Sequence, residues 1–192
     1  MTSKTDNSAT LNRNMIADTV HQAVCEISVG DELCPCIHYT MAGMALIANL
    51  TGKVYLPQIG SLHVEYGLET HACMGGLVST EFHSWLVGPI ERGHPSGRAI
   101  IPSDKEVIDF YPRHFEAHPK ADTDRNPCVT TDTPQYIWSQ HCDLPKWYCV
   151  NVSEKATTRL KKRIDVFKPL MIGVQALWNL KQGRKTPTLS GS

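Results

Sequence analysis

A cysteine, a histidine and an aspartate occur in an order that suits thiol catalysis: Cys36, His83 and Asp109, at intervals of 47 and 26 residues. A thiolate is a strong nucleophile, and an imidazole can take its proton and return it to a leaving group. A carboxylate can hold the imidazole in the right tautomer and orientation. Together the three residue types predict acyl chemistry through a thioester on the cysteine.

The residues around Cys36 predict a buried helix with the cysteine in its first turn. The segment 37–50 is apolar on all sides, and Gly52 is a natural stop. Pro35 fits a first helical turn because its missing N–H is not needed there. A helix N-terminus lowers the pKa of a thiol, and its exposed N–H groups can hold an oxyanion. We therefore expect Cys36 to be the nucleophile.

His83 and Asp109 are both predicted to lie in short strands. The segments 81–87 and 107–110 are separated by turns rich in glycine and proline, which is typical of an antiparallel meander. Side chains on neighbouring antiparallel strands can meet across the sheet. A carboxylate among apolar residues needs a partner, because burying an unpaired charge is costly. His83 is the expected partner of Asp109, with an arginine or a turn N–H as the alternatives.

The order and setting of these residues resemble the transglutaminase-like superfamily of papain-type thiol enzymes. There the cysteine heads a helix, the histidine often lies in a His-x-Trp strand, and the aspartate lies on the next strand. The corresponding segments here are 36–43, 83–85 and 108–110. The resemblance covers roughly residues 30–112. The sequence as a whole is most similar to small bacterial members of unassigned function. The resemblance implies a papain- or transglutaminase-like fold, no cofactor, and hydrolysis or transfer at an amide of a peptide or small molecule.

Four further residues are alternatives or additions to this site. Papain-type sites often use a glutamine or asparagine as a second oxyanion donor, and Gln58 is the candidate, unless it is an ordinary turn amide. Trp85 is expected to pack over the site or in the core. Cys34 is a rival nucleophile, although it precedes the predicted helix. His63, in another predicted strand, is a rival base.

Two other functional classes remain open. The same scaffold without the chemistry would be a binding or interaction module. The nine histidines also suggest a zinc protein, since His114 and His118 have the i, i+4 spacing of one helix face and His141 lies beside Cys142. However, the chain has neither a Cys-x-x-Cys nor a His-Glu-x-x-His motif, so no metal site is expected.

Composition limits the class of protein. The chain has 192 residues, of which 41% are hydrophobic and 20% charged, as in an ordinary globular domain. It carries 19 basic and 19 acidic residues, so nucleic acid is not an expected partner. No apolar run reaches the roughly 20 residues of a membrane span, and from the polar N-terminus we expect no signal peptide. A cytoplasmic protein with reduced cysteines is expected, and its oligomeric state is left open.

The elements together predict one α+β domain. We expect a flexible tail at 1–7, a single domain at 8–183 and a disordered tail at 184–192. A buried helix should pack on an antiparallel sheet with other helices outside. The predicted helices are 8–27, opened by Asn7 or Ser8, 35–50, a segment from Ser153 that is interrupted at Pro169, and 170–180. The predicted strands are 54–56, 62–66, 81–87, 99–101, 107–110, 136–138 and 147–152. Turns are predicted between them, among others at Gly60 and at Gly88-Pro89.

Overall fold

The computed structural model describes residues 12–27, 35–66, 69–74, 83–90, 104–117, 134–145 and 148–184. Within these ranges there are four α-helices, namely α1 (Arg13–Ile27), α2 (Pro35–Thr51), α3 (Glu154–Lys161) and α4 (Lys168–Lys181). The strands are β1 (Val54–Tyr66), β2 (Glu69–Met74), β3 (His83–Ile90), β4 (Glu106–Asp109), β5 (Ile137–Gln140) and β6 (Tyr148–Val152). Short 3₁₀ segments are Pro112–Ala117, His141–Asp143 and Ile164–Phe167. No helix in these ranges is long and apolar enough to cross a bilayer.

The strands form one antiparallel sheet on which α2 packs. Strand β1 pairs with β2, β3 and β6, while β4 pairs with both β3 and β5. Helix α2 contacts β1 and β3 on one side and α1 and α4 on others, so it is the centre of the fold. Its residues Met41, Ala42, Leu46 and Ile47 are fully buried. The predicted α+β architecture, a buried helix on an antiparallel sheet with flanking helices, is confirmed.

Close packing on α2 depends on Gly43. A Cβ atom there would lie 2.3 Å from Cε2 of Phe110, which is the residue after β4. The absence of a side chain lets the Phe110 ring press against the helix backbone. This contact fixes the end of β4 against the helix that begins beside Cys36.

Two glycines predicted to make turns lie inside strands instead. Gly60 belongs to the continuous strand β1, where a Cβ would lie 1.8 Å from the carbonyl oxygen of Asn151 on β6. Gly88 lies within β3, where a Cβ would meet the Tyr55 ring at 2.6 Å. Both predicted turns were wrong, because these glycines allow close approach of neighbouring groups.

The helix ends also differ from the prediction. Helix α1 begins at Arg13, and the side chain of Asn12 accepts a hydrogen bond from the Met15 N–H at 3.0 Å. Ser153 caps α3 as predicted, but that helix ends at Lys161 and a 3₁₀ segment follows. Pro169 lies in the first turn of α4, where proline is tolerated, and does not interrupt a helix.

Several predictions fall outside the described residues. They are the cap at Asn7 or Ser8, the strand at 99–101, the tail at 1–7 and, except for Arg184, the tail at 184–192.

Candidate active site

His83 and Asp109 are brought together by the pairing of β3 with β4. Leu86 lies opposite Ile108, and continuing this register places Asp109 opposite Trp85. His83 is two residues before Trp85 and therefore on the same face, diagonally across from Asp109. Nε2 of His83 lies 2.6 Å from Oδ2 of Asp109, with the two residues 0% and 2% exposed.

The buried Asp109 carboxylate receives two further hydrogen bonds. The backbone N–H of Tyr111 donates to Oδ1 at 2.9 Å, and the Tyr148 hydroxyl donates to Oδ2 at 2.7 Å. Three donors compensate for the lost hydration of the charge. An arginine partner, one alternative considered above, is therefore not needed, whereas the turn N–H is present in addition to the histidine.

These contacts assign the tautomer of His83. An ionised carboxylate only accepts hydrogen bonds, so Nε2 of His83 carries the hydrogen that it shares with Asp109. Nδ1 is then the ring nitrogen that can take a proton from a thiol.

Cys36 is the second residue of α2 and is fully buried. It belongs to the same hydrophobic core cluster as Tyr39, Trp85 and Tyr148. Its carbonyl oxygen accepts a hydrogen bond from the Thr40 hydroxyl at 2.9 Å. The first-turn N–H groups of a helix have no intrahelical partners, so those of α2 point towards the helix end that carries this cysteine.

Trp85 packs directly on His83. The two ring centroids are 6.0 Å apart with an interplanar angle of 22°, and Trp85 is fully buried. Its ring extends over Gly60, where Cη2 would lie 3.0 Å from a Cβ atom. Within the described part of the chain, its indole Nε1 has no hydrogen-bond acceptor. Leaving a buried donor without an acceptor costs about 1–3 kcal/mol. Such unpaired donors are rare in native proteins.

Gln58 lies opposite Trp85 in the pairing of β1 with β3, so its side chain is on the same face of the sheet. It is buried, and its Oε1 accepts a hydrogen bond from the Thr157 hydroxyl of α3 at 3.4 Å. Its carbonyl end is thus held towards α3. The role of Gln58 as an oxyanion donor stays a prediction.

The rival residues are placed as follows. Cys34 lies outside the described residues, and so does the side chain of His63, whose backbone belongs to β1. Of the zinc candidates, His118 is also outside them, and Nε2 of His114 is 2.6 Å from the Tyr39 hydroxyl. Across the described ranges, no group of three or more His, Cys, Asp or Glu side chains could hold a metal ion.

Sequence reasoning missed Tyr148. It lies 39 residues from Asp109 and reaches it because β6 pairs with β1, where Tyr148 is opposite Val64. Its pKa is raised well above the ordinary value, mainly by burial, then by the charge of Asp109 and their hydrogen bond, and also by the charge of Cys36. This electrostatic coupling indicates that Cys36 lies near the Asp109–Tyr148 pair.

The raised pKa of Tyr148 predicts loss of stability in alkali. The folded protein favours the neutral phenol, whereas the unfolded chain ionises near pH 10, so the stabilisation is present below about pH 10 and lost above it. Burial also raises the pKa values of Tyr39 and Tyr55, which adds to the effect. We expect the free energy of unfolding in urea to fall less between about pH 8 and pH 11 in Tyr148→Phe than in the native protein. Equal alkaline losses in the two proteins would contradict this.

Comparison with known proteins supports the fold. The chain matches no protein-family model and no curated protein. It is similar to a solved crystal structure described only as a genomics structure, with 12% identity and a TM-score of 0.53. The match covers 92% of this chain and 81% of the other. At this identity the likeness shows a shared α+β fold.

Proposed function

We propose that the protein is a cysteine-dependent hydrolase or acyl transferase of the transglutaminase-like, papain-like kind, acting on an amide of a peptide or small molecule. Cys36 is the nucleophile, His83 the general acid and base, and Asp109 the orienting carboxylate. The observation that supports this best is the buried 2.6 Å contact between Nε2 of His83 and Oδ2 of Asp109. In the proposed reaction Nδ1, the other ring nitrogen, exchanges the proton with Cys36.

The reaction follows from these roles. Nδ1 of His83 takes the thiol proton as the sulfur of Cys36 attacks the carbonyl carbon of the amide. The imidazolium is stabilised by Asp109 and returns the proton to the leaving nitrogen, so the C–N bond breaks and a thioester remains. Water or an amine, deprotonated by His83, then attacks the thioester and releases the thiolate. These steps use only groups of the protein and its substrates, so the proposal includes no cofactor.

Two sets of donors can stabilise the tetrahedral oxyanion. The first-turn N–H groups of α2 are one, and the indole N–H of Trp85 is the other. A substrate carbonyl oxygen would supply the acceptor that the described residues do not give to this indole. A correctly aimed donor of this kind contributes about 10²–10³-fold to the rate.

A thiol nucleophile has to remain reduced, which fits the cytoplasm as the place of action.

The complete burial of Cys36 and His83 favours a second candidate. In a binding or interaction module on this scaffold, the same residues would form a satisfied polar cluster in the core. The two functions differ in whether Cys36 can be acylated.

The test is to trap the thioester. The native protein is incubated with small activated esters and with chloromethyl ketone peptides, and the modified cysteine is identified by peptide mass spectrometry. We expect stoichiometric modification at Cys36 that is lost in Cys36→Ala and unchanged in Cys142→Ala, since Cys142 is an exposed thiol distant from the site in sequence. Modification spread over Cys25, Cys142 and Cys149, with none at Cys36, would support the binding module instead.

A further inference from the structure

Tyr39 is hydrogen-bonded between two histidines. Its hydroxyl lies 2.5 Å from Nδ1 of His21 on α1 and 2.6 Å from Nε2 of His114, in the 3₁₀ segment after β4. Tyr39 itself is buried on α2. These three side chains, named here the Tyr39 bridge, therefore join three separate elements at one oxygen atom.

The proton count of the Tyr39 bridge makes it sensitive to pH. A phenol has one hydrogen, so one imidazole accepts it and the other donates its own N–H to the phenol oxygen. The accepting imidazole has to be neutral. When both His21 and His114 are protonated, both rings donate to the phenol oxygen. The phenol hydrogen then has no acceptor within the bridge, and two cationic rings face each other with their centroids 5.6 Å apart.

The Tyr39 bridge connects the helix that carries Cys36 with the segment that follows Asp109. Tyr39 is three residues after Cys36, one turn along α2, and His114 is five residues after Asp109. The Tyr111 ring contacts both the bridge and the site, since its centroid is 5.8 Å from the Tyr39 ring and 5.8 Å from the His83 ring. The bridge thus ties the turn that carries Cys36 to the segment that follows Asp109.

We propose that the Tyr39 bridge positions the first turn of α2 against the segment 109–114, and that protonation of its histidines at acid pH loosens the site. This regulation rests on the function proposed above. Tyr39 acts through the helix and the chain, so it is a positioning residue and not a catalytic one.

The groups around the Tyr39 bridge favour its hydrogen-bonded arrangement near neutral pH. Burial lowers the pKa of His21, and Arg113 lowers it further while Asp18 opposes this. Arg113 and Asp18 form an ion pair at 3.8 Å, and Sγ of Cys25 lies 3.8 Å from Nδ1 of His21. Burial and the neighbouring Cys25 also raise the pKa of Tyr39, which keeps its hydrogen in place. Because the pKa of His21 is lowered on folding, its contribution to stability is lost as the pH falls below about 6.5.

The test measures amide hydrogen exchange and cysteine reactivity in the same proteins. The variants are Tyr39→Phe, which removes the phenol oxygen, and Tyr136→Phe as a matched control, since Tyr136 donates one hydrogen bond to Asn14, two turns before His21 on α1 and outside the bridge. We expect Tyr39→Phe to lower the exchange protection of residues 36–40 and 109–114 by about five- to tenfold, as one or two lost hydrogen bonds imply. Alkylation of Cys36 should slow by a similar factor, and the control should show neither change.

His114→Gln separates the pH effect from the structural one. A glutamine amide can still accept from Tyr39 but does not titrate near neutrality. In the native protein we expect protection of the two segments to fall between about pH 7 and pH 5. In His114→Gln we expect a smaller fall, because only His21 of the bridge still titrates there. Unchanged protection in Tyr39→Phe, or a loss spread evenly over the chain, would overturn the positioning role. Failure of the proposed function would appear differently, as native protein with normal protection and no acylation of Cys36.

Discussion

Asp109→Asn is expected to slow acylation of Cys36 by about 10³–10⁴-fold while the protein stays folded, as for triads whose aspartate is replaced. The neutral amide has nearly the same shape but only one accepting oxygen, so it cannot accept both from the Tyr111 N–H and from the His83 and Tyr148 donors on the other side. Keeping the bond from the Tyr111 N–H turns the NH₂ group towards His83. His83 then adopts the wrong tautomer and the imidazolium loses its counter-charge. The measurement is the rate of acyl-Cys36 formation by mass spectrometry.

Asp104→Asn is the matched control for this change. Asp104 precedes β4, and its side chain is 70% exposed and paired with Lys105. Its replacement should leave the rate within about twofold of the native value, because exposed pairs contribute little. A native rate in Asp109→Asn would show that the buried His83–Asp109 contact is structural and not catalytic.

Phe110→Ala is expected to lower the free energy of unfolding by about 3–5 kcal/mol, the usual cost of truncating a buried aromatic side chain. The Phe110 ring fills the space left by Gly43 on α2 and meets Trp138 edge to face at 6.2 Å between centroids. Truncation leaves a cavity that the rigid helix and sheet cannot close. Urea unfolding followed by circular dichroism measures the change.

Val166→Ala provides the comparison for Phe110→Ala. Val166 is 60% exposed in the 3₁₀ segment before α4, so its truncation should change the free energy of unfolding by less than about 0.5 kcal/mol. Similar losses in the two variants would contradict the central position of the α2–β4 contact in the core.

The parts of the site that depend on local sequence could be predicted. Pro35 and the apolar segment after it are sufficient to predict α2, with Cys36 in its first turn, because helix start signals act within a few residues. Strands β3 and β4 have short-range patterns of the same kind. Their pairing followed from the meander, which is why His83 and Asp109 could be expected to meet.

The parts that depend on long-range pairing could not. Tyr148 reaches Asp109 through the pairing of β6 with β1, and Tyr39 meets His21 and His114 through the packing of three elements. His114 was considered as a zinc ligand because its spacing to His118 suits a helix face, and spacing alone does not distinguish a ligand from a hydrogen-bond partner. Gly60 shows the same ambiguity, since a glycine that allows close approach looks like one that makes a turn.

The most direct test of the central claim is the rate of Cys36 alkylation by iodoacetamide as a function of pH. It is measured between about pH 5 and pH 9 in the native protein and in His83→Gln, with peptides resolved by mass spectrometry. A thiol paired with His83 should react well below about pH 8, at least tenfold faster in the native protein than in the variant. If Cys36 instead follows the profile of an ordinary thiol in both proteins, or does not react in either, the Cys36–His83 pair is not a nucleophile and its base.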